Sequence, residues 1–402
     1  MKQFVALFLA AVALAGCSGG SKLIAEKPAA LTEYTPGLEV TPLWAARIGK
    51  GVDSYYLKLP PLVDEHRVYA ASHRGKLAAY AIESGERVWK ADLKETVNAG
   101  PSEAGDLLLF GGDARVIAVA KSDGTVRWRA PVSSEVLASP VRTGDRIIVR
   151  TVDGAVVALS AEDGSRLWQY RQEEPLLTLR GNSAPVVVGD IVVVGFDNGQ
   201  LVGLNGQNGR QIWDATVTVP RGRTDLERMV DIDARLAVGG RVVFADSFQG
   251  KIAAVAADTG RVLWSRDISS YSGLALADRA LYTVDDKGDV WALSAANGGT
   301  LWKQTALHRR ELSAPTVQGK YLVVGDLAGY LHWISREDGH LVARTRVHQP
   351  DYYFPVPPAE PDLNPYHEDR AVLAQPIVQG DRVYAMDKRG AMNVFRIASP
   401  KH

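Results

Sequence analysis

A tryptophan preceded at four residues by a glycine recurs along this chain, and no other feature restricts its folding choices so strongly. Counting back from Trp89, Trp128, Trp168, Trp213, Trp264 and Trp302, and from Ala343, which takes the same place in the pattern, the residue four before is always glycine, from Gly85 to Gly339. A second glycine stands fourteen before each anchor except at Ala114. Twenty-eight before stand Pro61, Pro140, Pro185 and Pro315, with Pro101 displaced by one and Leu236 and Leu274 as substitutes. The anchors are 38 to 51 residues apart, close to the period of four-stranded propeller blades.

The unit is clearest at Pro140–Trp168. Three β-rich runs, Arg146–Thr151, Ala155–Ser160 and Arg166 onward, are separated by Asp153-Gly154 and Asp163-Gly164. Asp-Gly between apolar runs signals a hairpin, because glycine reaches positive φ without a Cβ clash. The unit is therefore an antiparallel meander. Pro376–Val394 repeats its first part and stops before any anchor, whereas Pro42–Ile48 is an anchor strand with no unit before it. The two fragments complete one another. The chain is expected to be all-β, an eight-bladed propeller of four-stranded antiparallel blades closed by pairing its terminal strands. The residue ten before each anchor is Ala or Gly except at Trp333. Small residues there are expected to let neighbouring blades approach, with the tryptophans covering the seams as structural groups.

With 46 basic and 46 acidic residues the chain has no global field to steer nucleic acid, and no nucleic-acid partner is expected. Met1–Cys17 carries Lys2, an apolar run from Phe4 to Leu14 and small residues at its end, the pattern of a secretory signal. Leu14-Ala15-Gly16-Cys17 resembles the bacterial lipobox, so Cys17, the only cysteine, is the expected lipidation site, with residues 1–16 as signal peptide. Ser18, in place of the aspartate that tends to retain lipoproteins in the inner membrane, favours the outer membrane. Residues 17–41 read as a lipid-anchored flexible tether, and 42–397 as the propeller.

Inter-blade connectors of a propeller emerge on one face. Three are long here, Gln169–Ala184, Asp214–Arg235 and Arg344–Gln375. The first carries Leu177, Leu179 and Arg180 on an extended segment, a plausible set of partner anchors; equally, the leucines could tuck beneath the loop. The second carries Asp231 and Asp233, which could bind calcium, accept hydrogen bonds from a partner, or pair with Arg180. Calcium is the weakest of these, because it takes six to eight oxygens and no EF-hand spacing is present. The third, including 351–370, is proline-rich with four aromatics, and reads as a solvated insertion or an extra docking strip.

The string Ala-x-x-x-x-x-Gly-x-x-x-Trp, as in Ala158–Trp168, resembles the repeat of quinoprotein alcohol dehydrogenases, which implies a scaffold and not an activity. Those enzymes use adjacent cysteines, which a chain with Cys17 alone lacks. No haem-attachment, zinc-protease, Gly-x-Ser-x-Gly or phosphate-loop motif occurs. No catalytic residue, cofactor or metal is expected. Together with the lipobox, Leu177-Thr178-Leu179-Arg180-Gly181-Asn182-Ser183-Ala184-Pro185 and Asp231-Ile232-Asp233 resemble the BamB family of outer-membrane lipoproteins. The resemblance implies a non-enzymatic scaffold of the β-barrel assembly machinery, lipid-anchored and facing the periplasm. It implies binding to the periplasmic domains of BamA, and it leaves open contact with unfolded outer-membrane proteins. Leu177, Leu179 and Arg180 would supply the contacts, and Asp231 and Asp233 would shape or complement them. A quinoprotein-type dehydrogenase and a cell-wall-binding propeller are the alternatives.

Overall fold

The structure, a computed structural model, describes residues 26–181, 183–348 and 370–398. Cys17 with its lipobox, Asn182 and nearly all of 351–370 lie outside these residues. Eight sheets of four antiparallel strands form the ring. Blades 1 to 7 occupy residues 62–92, 99–131, 141–171, 186–216, 237–266, 274–304 and 316–346. Blade 8 combines 377–398 with the N-terminal strand Glu39–Arg47. That strand pairs with Ala391–Ala398, from Glu39 opposite Ala398 to Arg47 opposite Ala391. The two chain ends therefore close the wheel, as the sequence predicts.

Each blade runs outward from its first strand near the axis, which spans two to four residues except in blade 2, where it is Ala99–Ala104. In blade 3 the second and third strands, Arg146–Arg150 and Ala155–Ser160, are buried almost throughout. They are covered on both faces by neighbouring blades, which is why they read as continuous apolar runs instead of alternating ones. The fourth strand, Arg166–Arg171, has one covered face and alternates.

The seams explain the repeat. Trp128 of blade 2 lies on Gly164 of blade 3, where an added Cβ would stand 2.7 Å from Cε3 of the indole. Gly164 also has φ +75°, so both the turn and the close approach require glycine. Each anchor tryptophan, starting with Trp44 on Gly85, meets the next blade in this way. Its indole N–H donates to a carbonyl of that blade, as from Trp168 to Gly206 and from Trp302 to Arg336, at 2.9 to 3.2 Å for all seven.

The small residue ten before the anchor has a different task from the one expected. Ala158 faces Trp168 across its own sheet, and a Cβ on Gly203 would stand 2.2 Å from its partner indole in Trp213. It lets the indole lie flat on its own blade. Blade 7 exchanges the pair, with buried Trp333 opposite Ala343. The seam from blade 7 to blade 8 thus lacks an outer tryptophan, and Leu38 fills it beside Trp333, Ala343 and Phe395. Trp168→Ala removes a buried ring and one inter-blade bond. It should cost about 3–5 kcal/mol of stability, read by denaturant unfolding.

A register shift falls just before each anchor, as between Ala158 and Leu159 opposite Arg166 and Trp168. The extra residue bulges outward, which leaves Val88, Leu167, Ile212, Leu263 and Leu301 exposed on the rim. Residues 26–38 form no strand but lie along blades 6 and 7, reaching the outer strand of blade 7. Ala29 N–H donates to the His308 carbonyl and Gly37 N–H to that of Val342, both at 2.9 Å. Arg310 donates to the Ala29 carbonyl at 2.9 Å and Arg344 to that of Thr32 at 3.1 Å. The C-terminal part of the segment read as tether is thus laid on the ring. No helix among the described residues is long and apolar enough to cross a membrane.

Candidate functional site

The two connectors singled out by sequence meet at the axial end of blades 3 to 5. Asp231 is fully buried, and its Oδ2 accepts the N–H of Leu179. Asp233 lies under Gly181, where an added Cβ would stand 2.5 Å from its Cγ. The Asp-x-Asp segment is therefore the floor on which 179–181 rests. Above it, Leu177 and Leu179 are 44% and 40% exposed and Leu176 projects freely, so the leucines do not tuck beneath the loop. Arg180 has φ +56°, and its N–H donates to Thr178 Oγ1 at 3.0 Å. Its guanidinium turns away from both aspartates and pairs with Glu135 on the preceding connector. Being mostly exposed, that pair contributes about 0.2–1 kcal/mol.

Beside this loop a funnel of about 600 Å³ opens along the axis, lined by Tyr56, Lys58, Leu179, Asp233, Phe248 and Tyr271 among others. Lys58 is accessible along the funnel but surrounded by protein, and donates to the Tyr271 carbonyl at 3.2 Å. Burial lowers its pKa against the pull of Asp233 and Asp246. Tyr56 and Lys58 come from the connector before blade 1, Phe248 from a turn of blade 5 and Tyr271 from the connector after it, and no local spacing in the sequence marks them together.

Nor does any spacing mark the charged group beneath the floor. Arg150 is fully buried, and its Nη2 donates to Asp197 Oδ1 at 2.6 Å and Glu174 Oε1 at 2.8 Å, while its guanidinium lies 5.1 Å from the Phe196 ring centre. Asp197 and Asp231 are buried; Asp233 is partly exposed, yet both its carboxylate oxygens are shielded from solvent. Burial pushes Asp231 up to about 6, against the Leu179 N–H bond. Asp233 is driven well above the carboxylate range by burial and then by the charges of Asp197 and Asp231. Glu174 rises to about 7, chiefly from burial. One signal could have found this group: Arg150 ends a second strand where six of the other seven blades have an uncharged residue, Ala71, Gly111, Gly195, Val284, Gly325 or Met386, and blade 5 has Asp246.

A family profile described as outer membrane protein assembly factor BamB matches residues 42–108 and 73–304. The chain is 35% identical to the outer membrane protein assembly factor BamB of Xanthomonas campestris pv. campestris, covering 99% of this chain and 98% of that protein. The chain belongs to the BamB family. Other BamB proteins agree along the whole length: that of Pseudomonas aeruginosa is 36% identical over 98% of this chain and 99% of its own. The crystal structure of BamB from Moraxella catarrhalis superposes with a TM-score of 0.76 at 24% identity, covering 89% of this chain and all of that one. The quinohemoprotein alcohol dehydrogenase of Comamonas testosteroni also superposes, with a TM-score of 0.68 at 12% identity over 90% and 78%. At that identity the likeness concerns the wheel alone, as the repeat resemblance implied.

Proposed function

We propose that this chain is a non-enzymatic scaffold subunit of the outer-membrane β-barrel assembly complex, docking through its connector face on the periplasmic domains of BamA. The observation that carries this reading is the pairing of family membership along the whole chain with a built docking loop. Two half-exposed leucines and an exposed arginine stand on a floor of buried carboxylates. An apolar and arginine pair pre-organised in this way has the composition of an interface hot spot. Leu177, Leu179 and Arg180 make the contact, and Asp231 and Asp233 hold its shape. Lipid on Cys17 anchors the protein to the outer membrane, with the wheel in the periplasm. The bulge before each anchor breaks up the outer strand edges, which favours loop docking over pairing of unfolded barrel strands to blade edges.

Replacing Leu177, Leu179 and Arg180 together by alanine should lower co-purification with BamA from solubilised membranes at least tenfold. The melting temperature should hold within about 2 °C, because only exposed groups and one solvent-screened ion pair are lost. Recovery at the wild-type level from a folded variant rejects this loop as the docking element.

A further inference from the structure

Asp197, Asp231 and Asp233 each bring one carboxylate oxygen within 4.8 Å of the others. They arrive from two elements: Asp197 from the turn between the second and third strands of blade 4, the other two from the connector after that blade. Asp197 stands apart from the repeat. In other blades the residue three before the turn glycine caps that turn, as Asp285, Asp326 and Asp387 do by accepting the N–H of Asp289, Tyr330 and Ala391. In blade 4 that place holds Phe196, and Asp197, one residue later, is committed only to Arg150.

Proximity of acidic groups alone would carry nothing. Here the side chains of Asp197 and Asp231 are 1% and 0% exposed, and Asp197 Oδ2 and Asp231 Oδ1 accept no hydrogen bond. Both oxygens of Asp233 are likewise shielded and unpartnered. A buried carboxylate oxygen without a donor is costly unless a cation stands in for the donor. Carboxylates are also crowded in this sector, where Glu174, Asp197, Asp231, Asp233 and Asp246 stand around the buried Arg150 and Lys58.

We propose that Asp197, Asp231 and Asp233 form a site for a hard divalent cation of the calcium type at the root of the docking loop. Three carboxylates suit calcium better than magnesium, which dehydrates reluctantly and is held through one or two. The three leave the remaining positions to water, which would enter past Asp233 from the funnel it lines. The cation would neutralise the floor beneath Leu179 and Gly181, and so stiffen the loop above it. This site stands whether or not the loop docks on BamA.

The test is a terbium titration of the full chain purified in detergent and stripped with chelator, with emission excited through tyrosine, since Tyr56 and Tyr271 line the same funnel as Asp233. One saturable site is expected, displaced by Ca²⁺. Asp233→Asn and Asp231→Asn should each weaken it at least tenfold, and Asp338→Asn, on the exposed rim, should leave it unchanged. Ca²⁺ should raise the melting temperature of the wild type and not that of Asp233→Asn. Absence of saturable binding, binding indifferent to both variants, or a wild-type melting temperature unmoved by Ca²⁺ overturns the proposal, and would mean that protons alone neutralise the cluster.

Discussion

Deleting Glu39–Arg47 should abolish the single cooperative melting transition of the wheel. The strand supplies the outer edge of blade 8, places Trp44 on Gly85 of blade 1 and donates the indole N–H to the Ile82 carbonyl at 3.1 Å. Its loss leaves Ala391–Ala398 as an open edge and exposes Met392, Val394 and Phe395, all buried in the intact ring. Uncovering several large side chains at about 1.5–3 kcal/mol each approaches the whole stability of an ordinary domain, about 5–15 kcal/mol. Far-ultraviolet dichroism melts with a dye for exposed apolar surface provide the measurement. A circular permutant that joins Ala398 to Glu39, which are register partners, and opens in the turn at Gly240 keeps every strand, loses residues 26–38 with Leu38, and should regain a single cooperative transition. A deletion variant that still melts cooperatively within a few degrees of wild type would show that closure contributes little.

Asp326→Ala should cost about 3–5 kcal/mol, because it leaves buried cationic and polar partners without the carboxylate they share. Asp326 Oδ2 accepts from Arg310 Nε at 2.8 Å, Arg310 Nη2 at 2.7 Å and His332 Nε2 at 2.9 Å. Oδ1 accepts the N–H groups of Ala328 and Tyr330, both at 2.9 Å. Arg344 Nε donates to His332 Nδ1 at 3.3 Å, which fixes the neutral tautomer with its proton toward Asp326. Burial alone would raise the Asp326 pKa, but the His332 bond, the nearby positive charges and the backbone donors outweigh it and hold it below the usual carboxylate range. A carboxyl depressed on folding stabilises the native state above its unfolded pKa of about 3.9, and that contribution fades as pH falls toward the folded value. Burial also lowers the His332 pKa, so acid below about 6.5 works against the fold there too. Asp326→Asn should therefore lose most stability near pH 7 and converge on wild type below about pH 4 in urea unfolding. A constant gap across that range would mean that the charge of Asp326 contributes nothing.

How much of this was legible from the residues depends on how each feature repeats. The wheel was readable because Gly164 and its equivalents obey a steric demand repeated at seven of the eight seams, and because Trp44 and Pro376–Val394 are each an incomplete blade. The meaning of Ala158 was misread: spacing shows that a small residue is needed, but not whether it faces the next blade or its own tryptophan. The floor under Leu179 was half visible, since Asp231 and Asp233 sit together in sequence, whereas Arg150 and Asp197 are 47 residues apart and meet only because blades 3 and 4 are neighbours. Residues 26–38 gave no periodic signal because their attachment is largely through their own backbone, at Ala29, Thr32 and Gly37. Such a segment looks like linker in any sequence.

The strand that locks the wheel is synthesised before blades 1 to 7, and its partner Ala391–Ala398 after them. Until Ala391–Ala398 emerges, Glu39–Arg47 has no ladder to join, and seven blades can stack only as an open arc. A growing chain is thus kept from premature locking by its own order of manufacture, and it stays threadable until blade 8 is made.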